Sequence, residues 1–196
     1  LIVNSPFKLI EKGLAWEDLI IEPTARLLSP STPLFREFTN DGEGSMGVHL
    51  YHFDSYSEYE TELFFSVQMP HKWARTQIRP HVHWSPKITS DNGENVIWGL
   101  EYTWAGVGQI FNETSKVFTS PDTPRNSVLI GKKHYLSSFT PIEPIEDEFG
   151  LSSILLGRLY RNTKNELDTY KDSACLLYVD IHYELNRLGS EEELGN

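Results

Sequence analysis

Apolar and polar residues alternate with a period of two along much of this chain. That alternation places successive side chains on opposite faces of a β-strand. Around Arg79-Pro-His-Val-His-Trp-Ser85, Ile78, Val82 and Trp84 fall on one face and Arg79, His81, His83 and Ser85 on the other. Across Val96-Ile-Trp-Gly-Leu-Glu-Tyr-Thr-Trp104, Val96, Trp98, Leu100, Tyr102 and Trp104 share a face opposite Ile97, Gly99, Glu101 and Thr103. Asn92-Gly93 between them is a tight-turn signal. The pattern predicts a β-hairpin with one aromatic face in a core and one polar His/Glu face.

The same period extends to other segments. Glu62–Met69 turns Leu63, Phe65, Val67 and Met69 inward. Ala174–Leu185 is the clearest strand, with Cys175, Leu177, Val179, Ile181, Tyr183 and Leu185 expected in the core and Tyr178, Asp180, His182 and Glu184 facing away. Trp16–Ile21, Gly47–Phe53, Phe111–Phe118, Ser127–Ile130, His134–Phe139 and Ser152–Arg161 are further candidates, the last with Ile154, Leu156 and Tyr160 on one face. Thr140–Phe149, with Pro141 and Pro144, reads as a loop, and Arg161–Asp172 as polar and turn-like. About eight short strands with turn signals and no amphipathic helix indicate an all-β fold, an antiparallel β-sandwich or jelly roll. The expected organisation is an extended N-terminal arm over 1–45, a β-sandwich domain over 46–190 and a polar C-terminal tail over 191–196.

Composition narrows the function classes. A chain of 196 residues can bury a sizeable core without staples. Its formal net charge of −11 repels phosphate, which predicts no direct nucleic-acid partner and no anionic membrane surface. Cys175 is the single cysteine, so a disulfide scaffold is excluded and the thiol is expected to act as a small buried hydrophobe. No apolar run is long enough for a membrane-spanning helix. The opening Leu-Ile-Val-Asn-Ser-Pro does not read as a signal peptide.

Few motifs carry chemistry. Gly42-Glu-Gly-Ser-Met-Gly47 matches a dinucleotide fingerprint in letters, but a strand-like segment follows where a helix is required. The glycines are better explained as loop positions with positive φ. No Gly-x-Ser-x-Gly elbow is present. His81-Val-His83 puts two imidazoles about 7 Å apart on one strand face, close enough to share a metal. Glu101 and His182 complete a four-residue set if their strands are neighbours, and that set suits Zn, Fe or Mn. Cupin barrels use a similar His-x-His, but with a Glu a few residues on, where this chain has Trp84-Ser-Pro-Lys-Ile. The simpler expectation is a hydrogen-bonded polar row or a subunit contact, with no catalytic, cofactor or metal residue assigned. A glycan- or receptor-binding module is a further alternative, and it requires exposed Trp or Tyr rings beyond those the core uses.

Several segments together resemble a family of tailed-bacteriophage structural proteins. They are Trp16-Glu-Asp-Leu19, Gln68-Met-Pro-His71, Pro80-His-Val-His-Trp84, Val96–Trp104, Leu156-Gly-Arg-Leu-Tyr-Arg-Asn162, Asp168-Thr-Tyr170, Val179-Asp-Ile-His-Tyr-Glu184 and Leu188-Gly-Ser190. Their order spans roughly residues 14–192. The resemblance implies a structural role in a particle, and the expectation is a non-enzymatic virion component on the capsid, neck or tail that forms a homo-oligomer such as a trimer. Its implied partners are further copies of itself and other virion proteins such as the major capsid, portal or tail proteins. It supplies no catalytic residues.

Overall fold

The computed structural model describes residues 15–24, 32–55, 60–91, 93–121, 127–144, 150 and 152–185. These contain β1 (Ala15–Ile21), β2 (Leu34–Thr39), β3 (Val48–Phe53), β4 (Glu62–Gln68), β5 (Trp73–Pro86), β6 (Trp98–Ala105), β7 (Ser115–Phe118), β8 (Tyr135–Ser138), β9 (Ile154–Arg161) and β10 (Ala174–Leu185), and no helix among the described residues. One antiparallel sheet runs β2-β3-β10-β5-β8, with β1 also on β10, and a second runs β4-β9-β6-β7. The two pack face to face, so the fold is an all-β sandwich.

The core is the set of inward faces that period two selects. Ile78, Val82 and Trp84 of β5 and Val179, Ile181 and Tyr183 of β10 face Leu63, Phe65 and Val67 of β4, Trp98 and Leu100 of β6, and Leu155 and Leu159 of β9. Burying each such side chain contributes about 1.5–3 kcal/mol. Aromatic pairs join the sheets: Trp98 meets Phe53 edge-on at 5.0 Å and Trp84 at 6.2 Å, and Trp73 meets Trp104 at 5.3 Å.

The expected hairpin between 79–85 and 96–104 does not form. β5 pairs with β10 and β8 in the large sheet, whereas β6 pairs with β9 and β7 in the small one. The connection crosses from one sheet to the other instead of turning back. Asn92 lies outside the described residues, while Gly93 has the positive φ its position suggested, 77°. The turn signal was real, but a turn does not dictate which strand pairs with which.

β10 differs from simple alternation at one point. Leu176 pairs with Trp84 but Tyr178 pairs with His83, so Leu177 is an extra residue in a β-bulge. Beyond it Val179, Ile181 and Tyr183 face the core as expected. Before it the phase is inverted: Ala174 and Leu176 belong to the core cluster, and Cys175 faces His52 and Ser85 across the outer side. Cys175 is still fully buried, and burial pushes its thiol up to about 12, so it remains protonated. In β9 both faces are apolar. Leu155 and Leu159 go inward and Ile154 and Leu156 outward, with Tyr160 lying over the outer side of Gly99 where a Cβ would collide with its ring.

Of the expected arm over 1–45, residues 15–21 and 34–39 are strands of the large sheet, and 1–14 and 25–31 lie outside the described residues. Residues 186–196, including the expected tail, also lie outside them. Gly42, Gly44 and Gly47 form a loop with φ of 81°, 86° and 67°, followed directly by β3. A Cβ on Gly47 would sit 2.5 Å from the Thr39 carbonyl oxygen, so the third glycine is a steric requirement of this loop and not a phosphate cradle. Ser127–Ile130 is irregular, and only 115–118 of the segment from Phe111 is strand.

Candidate functional site

The outer face of the large sheet carries one dense group of titratable side chains. Register explains it. β10 lies between β1 and β5, with Asp18 opposite His182, His81 opposite Asp180 and His83 opposite Tyr178. The Asp-x-His of β10 therefore lies beside the His-x-His of β5, and β1 adds an aspartate at the margin.

Asp180 is the hub. Its Oδ2 accepts from His83 Nε2 at 3.1 Å and lies 3.2 Å from His182 Nε2, while Oδ1 lies 3.3 Å from His81 Nδ1. His182 Nε2 is also 3.0 Å from Asp18 Oδ1. His83 Nδ1 meets His134 Nε2 at 2.7 Å, and the Tyr178 ring stacks on His83 at 4.2 Å. The rings of His81 and His182 touch edge to face at 4.1 Å. The Asp180 side chain is only 4% exposed.

Burial pushes the Asp180 carboxyl up, but the polar contact with His81 and the His182, His83 and His81 imidazoles together outweigh it and hold it below the usual carboxylate range. Asp180 is thus an anion and accepts only. Burial pushes the His83 imidazole down, against the pull of Asp180. A neutral His83 donating from Nε2 has a bare Nδ1, so His134 donates to it from Nε2. His81 Nδ1 and Asp180 Oδ1 are different. They face each other at 3.3 Å, yet neither has a hydrogen-bond partner among the described residues. An unsatisfied buried polar atom costs about 1–3 kcal/mol.

Compared with known proteins, the chain matches no family model and no curated protein.

The structure therefore brings together three of the four residues proposed from sequence, His81, His83 and His182, and separates the fourth. Glu101 lies on the outer face of the small sheet, on the far side of the sandwich, because β6 is not the partner of β5. There it accepts from Thr114 at 2.7 Å and from Arg158 at 3.0 Å, with Lys116 at 3.6 Å. The Thr114 hydrogen bond, with these cations, holds the Glu101 carboxyl below its ordinary range. Arg158 also bonds Glu60 and Glu62 and lies over the Tyr160 ring. Beside this network a groove of about 520 Å³ is lined by Phe64, Ser66, Thr103 and Leu156. The residues missed from sequence are Asp180 as hub, Asp18 and His134. The shared face of Asp180 and His182 was the available signal. Of the tryptophan rings that could stack on a glycan, Trp73, Trp84, Trp98 and Trp104 are buried, and the exposed Trp16 is covered on one side by Arg79, 4.7 Å from its centroid.

The neutral buried histidines set a pH dependence. Burial lowers the pKa of both His83 and His52, the latter also beside Lys87 and Arg36. Such a group binds fewer protons folded than unfolded, so its contribution is complete above about 6.5 and falls as pH drops through that value. Thermal unfolding is expected to shift to lower temperature between pH 7.5 and 5.5. Each group adds a slope of at most about 1.4 kcal/mol per pH unit. His83→Gln and His52→Gln should each flatten the profile; an unchanged profile in both variants contradicts the assignment.

Proposed function

We propose that this chain is a structural subunit of a bacteriophage virion that assembles as a homo-oligomer on the capsid, neck or tail and stabilises the particle. The observation that carries the assembly reading is β2. It ends the large sheet, and its consecutive residues Leu34 and Phe35, on opposite faces of the strand, are 51% and 61% exposed. Met46 and Val48 beside it are 82% and 59% exposed. Among the described residues β2 has a strand partner on one side only, and an edge strand with apolar residues on both faces is a template for pairing with another chain. The resemblance across residues 14–192 supplies the setting. The acidic charge of −11 fits a role in a shell or tail without direct contact to nucleic acid. The mechanism is burial: strand edges and apolar patches of neighbouring copies cover one another, and a symmetric closed ring or cluster limits the growth.

Light scattering on the purified chain tests the oligomer. A defined oligomeric mass is expected, and the double variant Leu34→Glu/Phe35→Glu should shift it to the monomer while keeping the circular dichroism of the folded sheet. A monomer at every concentration up to the solubility limit overturns the assembly reading. Immunogold labelling of purified particles separately tests the virion location.

A further inference from the structure

We propose that His81, Asp180, His182 and Asp18 form a binding site for one first-row divalent transition-metal ion, best matched by Zn2+, that ties β1 to β10 and β5. It goes beyond the assembly reading and does not depend on it.

The geometry has three parts. First, one donor atom from each of His81, Asp180 and His182 lies within 4.8 Å of the others. The His81 Nδ1–Asp180 Oδ1 and His182 Nε2–Asp18 Oδ1 separations are 3.3 and 3.0 Å. Two ligands of a tetrahedral zinc, each about 2.1 Å from the ion, lie about 3.4 Å apart. Each of the two pairs has the separation of adjacent ligands, His81, Asp180 and His182 lie close enough to converge on one ion, and Asp18 reaches it by a side-chain rotation. Second, His81 Nδ1 and Asp180 Oδ1 are buried, 3.3 Å apart and, among the described residues, without hydrogen-bond partners. A purely hydrogen-bonded polar row would satisfy them. A cation between them satisfies both at once. Third, the other oxygen of Asp180 is held by His83 Nε2, and His83 is held in turn by His134. Outer-sphere support of this kind orients a metal-binding carboxylate.

The donors also select the ion. Two imidazole nitrogens and two carboxylate oxygens favour zinc and its first-row neighbours over calcium or magnesium, which take oxygen ligands. His81, Asp180 and His182 stand on adjacent paired strands and are fixed by register. Asp18 is 57% exposed and on the outermost of the strands concerned, so it is free to rotate onto the ion. The ion would act as a staple on the first described strand, which among the described residues is backbone-paired to β10 alone.

The test uses the full chain, stripped with a chelator and titrated with Zn2+ by calorimetry, with Co2+ absorption as a second readout. One ion per chain is expected, with a visible Co2+ ligand-field band and a rise in Tm on adding Zn2+. His182 is half-buried and outside the core, so His182→Ala should fold and bind at least about tenfold more weakly. His83→Gln should weaken binding about 10–100-fold by releasing the Asp180 carboxylate. Glu101→Gln, on the opposite side of the sandwich, should leave affinity unchanged. Absence of saturable binding to the folded wild-type chain overturns the proposal. So does His182→Ala binding with wild-type affinity.

Discussion

Arg161→Met is expected to lower folding stability by about 3–5 kcal/mol, the cost of breaking a buried ion pair from one side. Arg161 ends β9 on its inward face and is fully buried. Its guanidinium forms a fork with Asp168, Nε to Oδ2 at 3.0 Å and Nη2 to Oδ1 at 2.8 Å. The remaining donors reach the carbonyls of Phe53 at 3.1 Å and Asp172 at 2.6 Å, and that of Tyr170. Asp168 Oδ2 also accepts from the backbone N–H of Ile97 at 2.9 Å. One side chain thus joins the end of β3, the entrance to β6 and the turn-like segment 162–173. Methionine fills the volume but leaves a buried carboxylate without its counter-charge and three carbonyls without the guanidinium donor. A domain whose whole stability is about 5–15 kcal/mol will be near its limit. Urea unfolding followed by tryptophan fluorescence measures the change. The double variant Arg161→Met/Asp168→Asn should lose less than the two single variants added together. A loss under about 1 kcal/mol in Arg161→Met would show that water reaches the site.

Trp98→Ala is expected to cost about 3–5 kcal/mol, from lost burial and the cavity left behind. Trp98 is fully buried where the two sheets meet, between Phe53 and Trp84 of the large sheet. Neither sheet can close the gap alone, since the backbone of each is fixed by its own ladder of paired strands. The indole Nε1–H has no hydrogen-bond partner among the described residues, so truncation also removes an unsatisfied donor. That places the expected loss toward the lower end of the range. Trp98→Phe should recover most of it. The same urea titration decides, and a variant within about 1 kcal/mol of wild type would mean the sheets collapse onto the vacated space.

Strand faces were legible because they follow from local geometry. Leu63, Phe65 and Val67, or Val179, Ile181 and Tyr183, need only a pleat and one wet side to declare themselves. Partners were not. The segments around His83 and Glu101 look like a hairpin because they are close in sequence and flank Asn92-Gly93, but pairing is decided by the whole set of strands competing for each edge. β10, far along the chain, is the neighbour β5 takes. The bulge at Leu177 was equally hidden, since Cys175 and Leu177 are as apolar as Ala174 and Leu176 and alternation cannot tell the two phases apart. In β9, apolar residues on both faces left the inward side undecided. The histidine site inherited this division. His81 and His83 were found from their spacing and His182 from its place on the polar face of its strand, while Asp180 on that same face was not put in the set. Only the register of β5 against β10 reveals that Asp180, not Glu101, is the carboxylate they share.

The place of β10 bears on how the chain is made. Its one edge is taken by β5, and its other edge is shared end to end by β3 at 174–176 and β1 at 179–185. Three strands from the first half of the sequence therefore wait for the last described one. A ribosome working from the N-terminus leaves β1, β3 and β5 without this common neighbour until β10 has been synthesised. Pairings over such sequence separations are slow to form and leave strand edges open meanwhile. The large sheet therefore closes only after β10 has followed its partners, and its vulnerable interval falls between the emergence of β5 and the arrival of β10 in its slot.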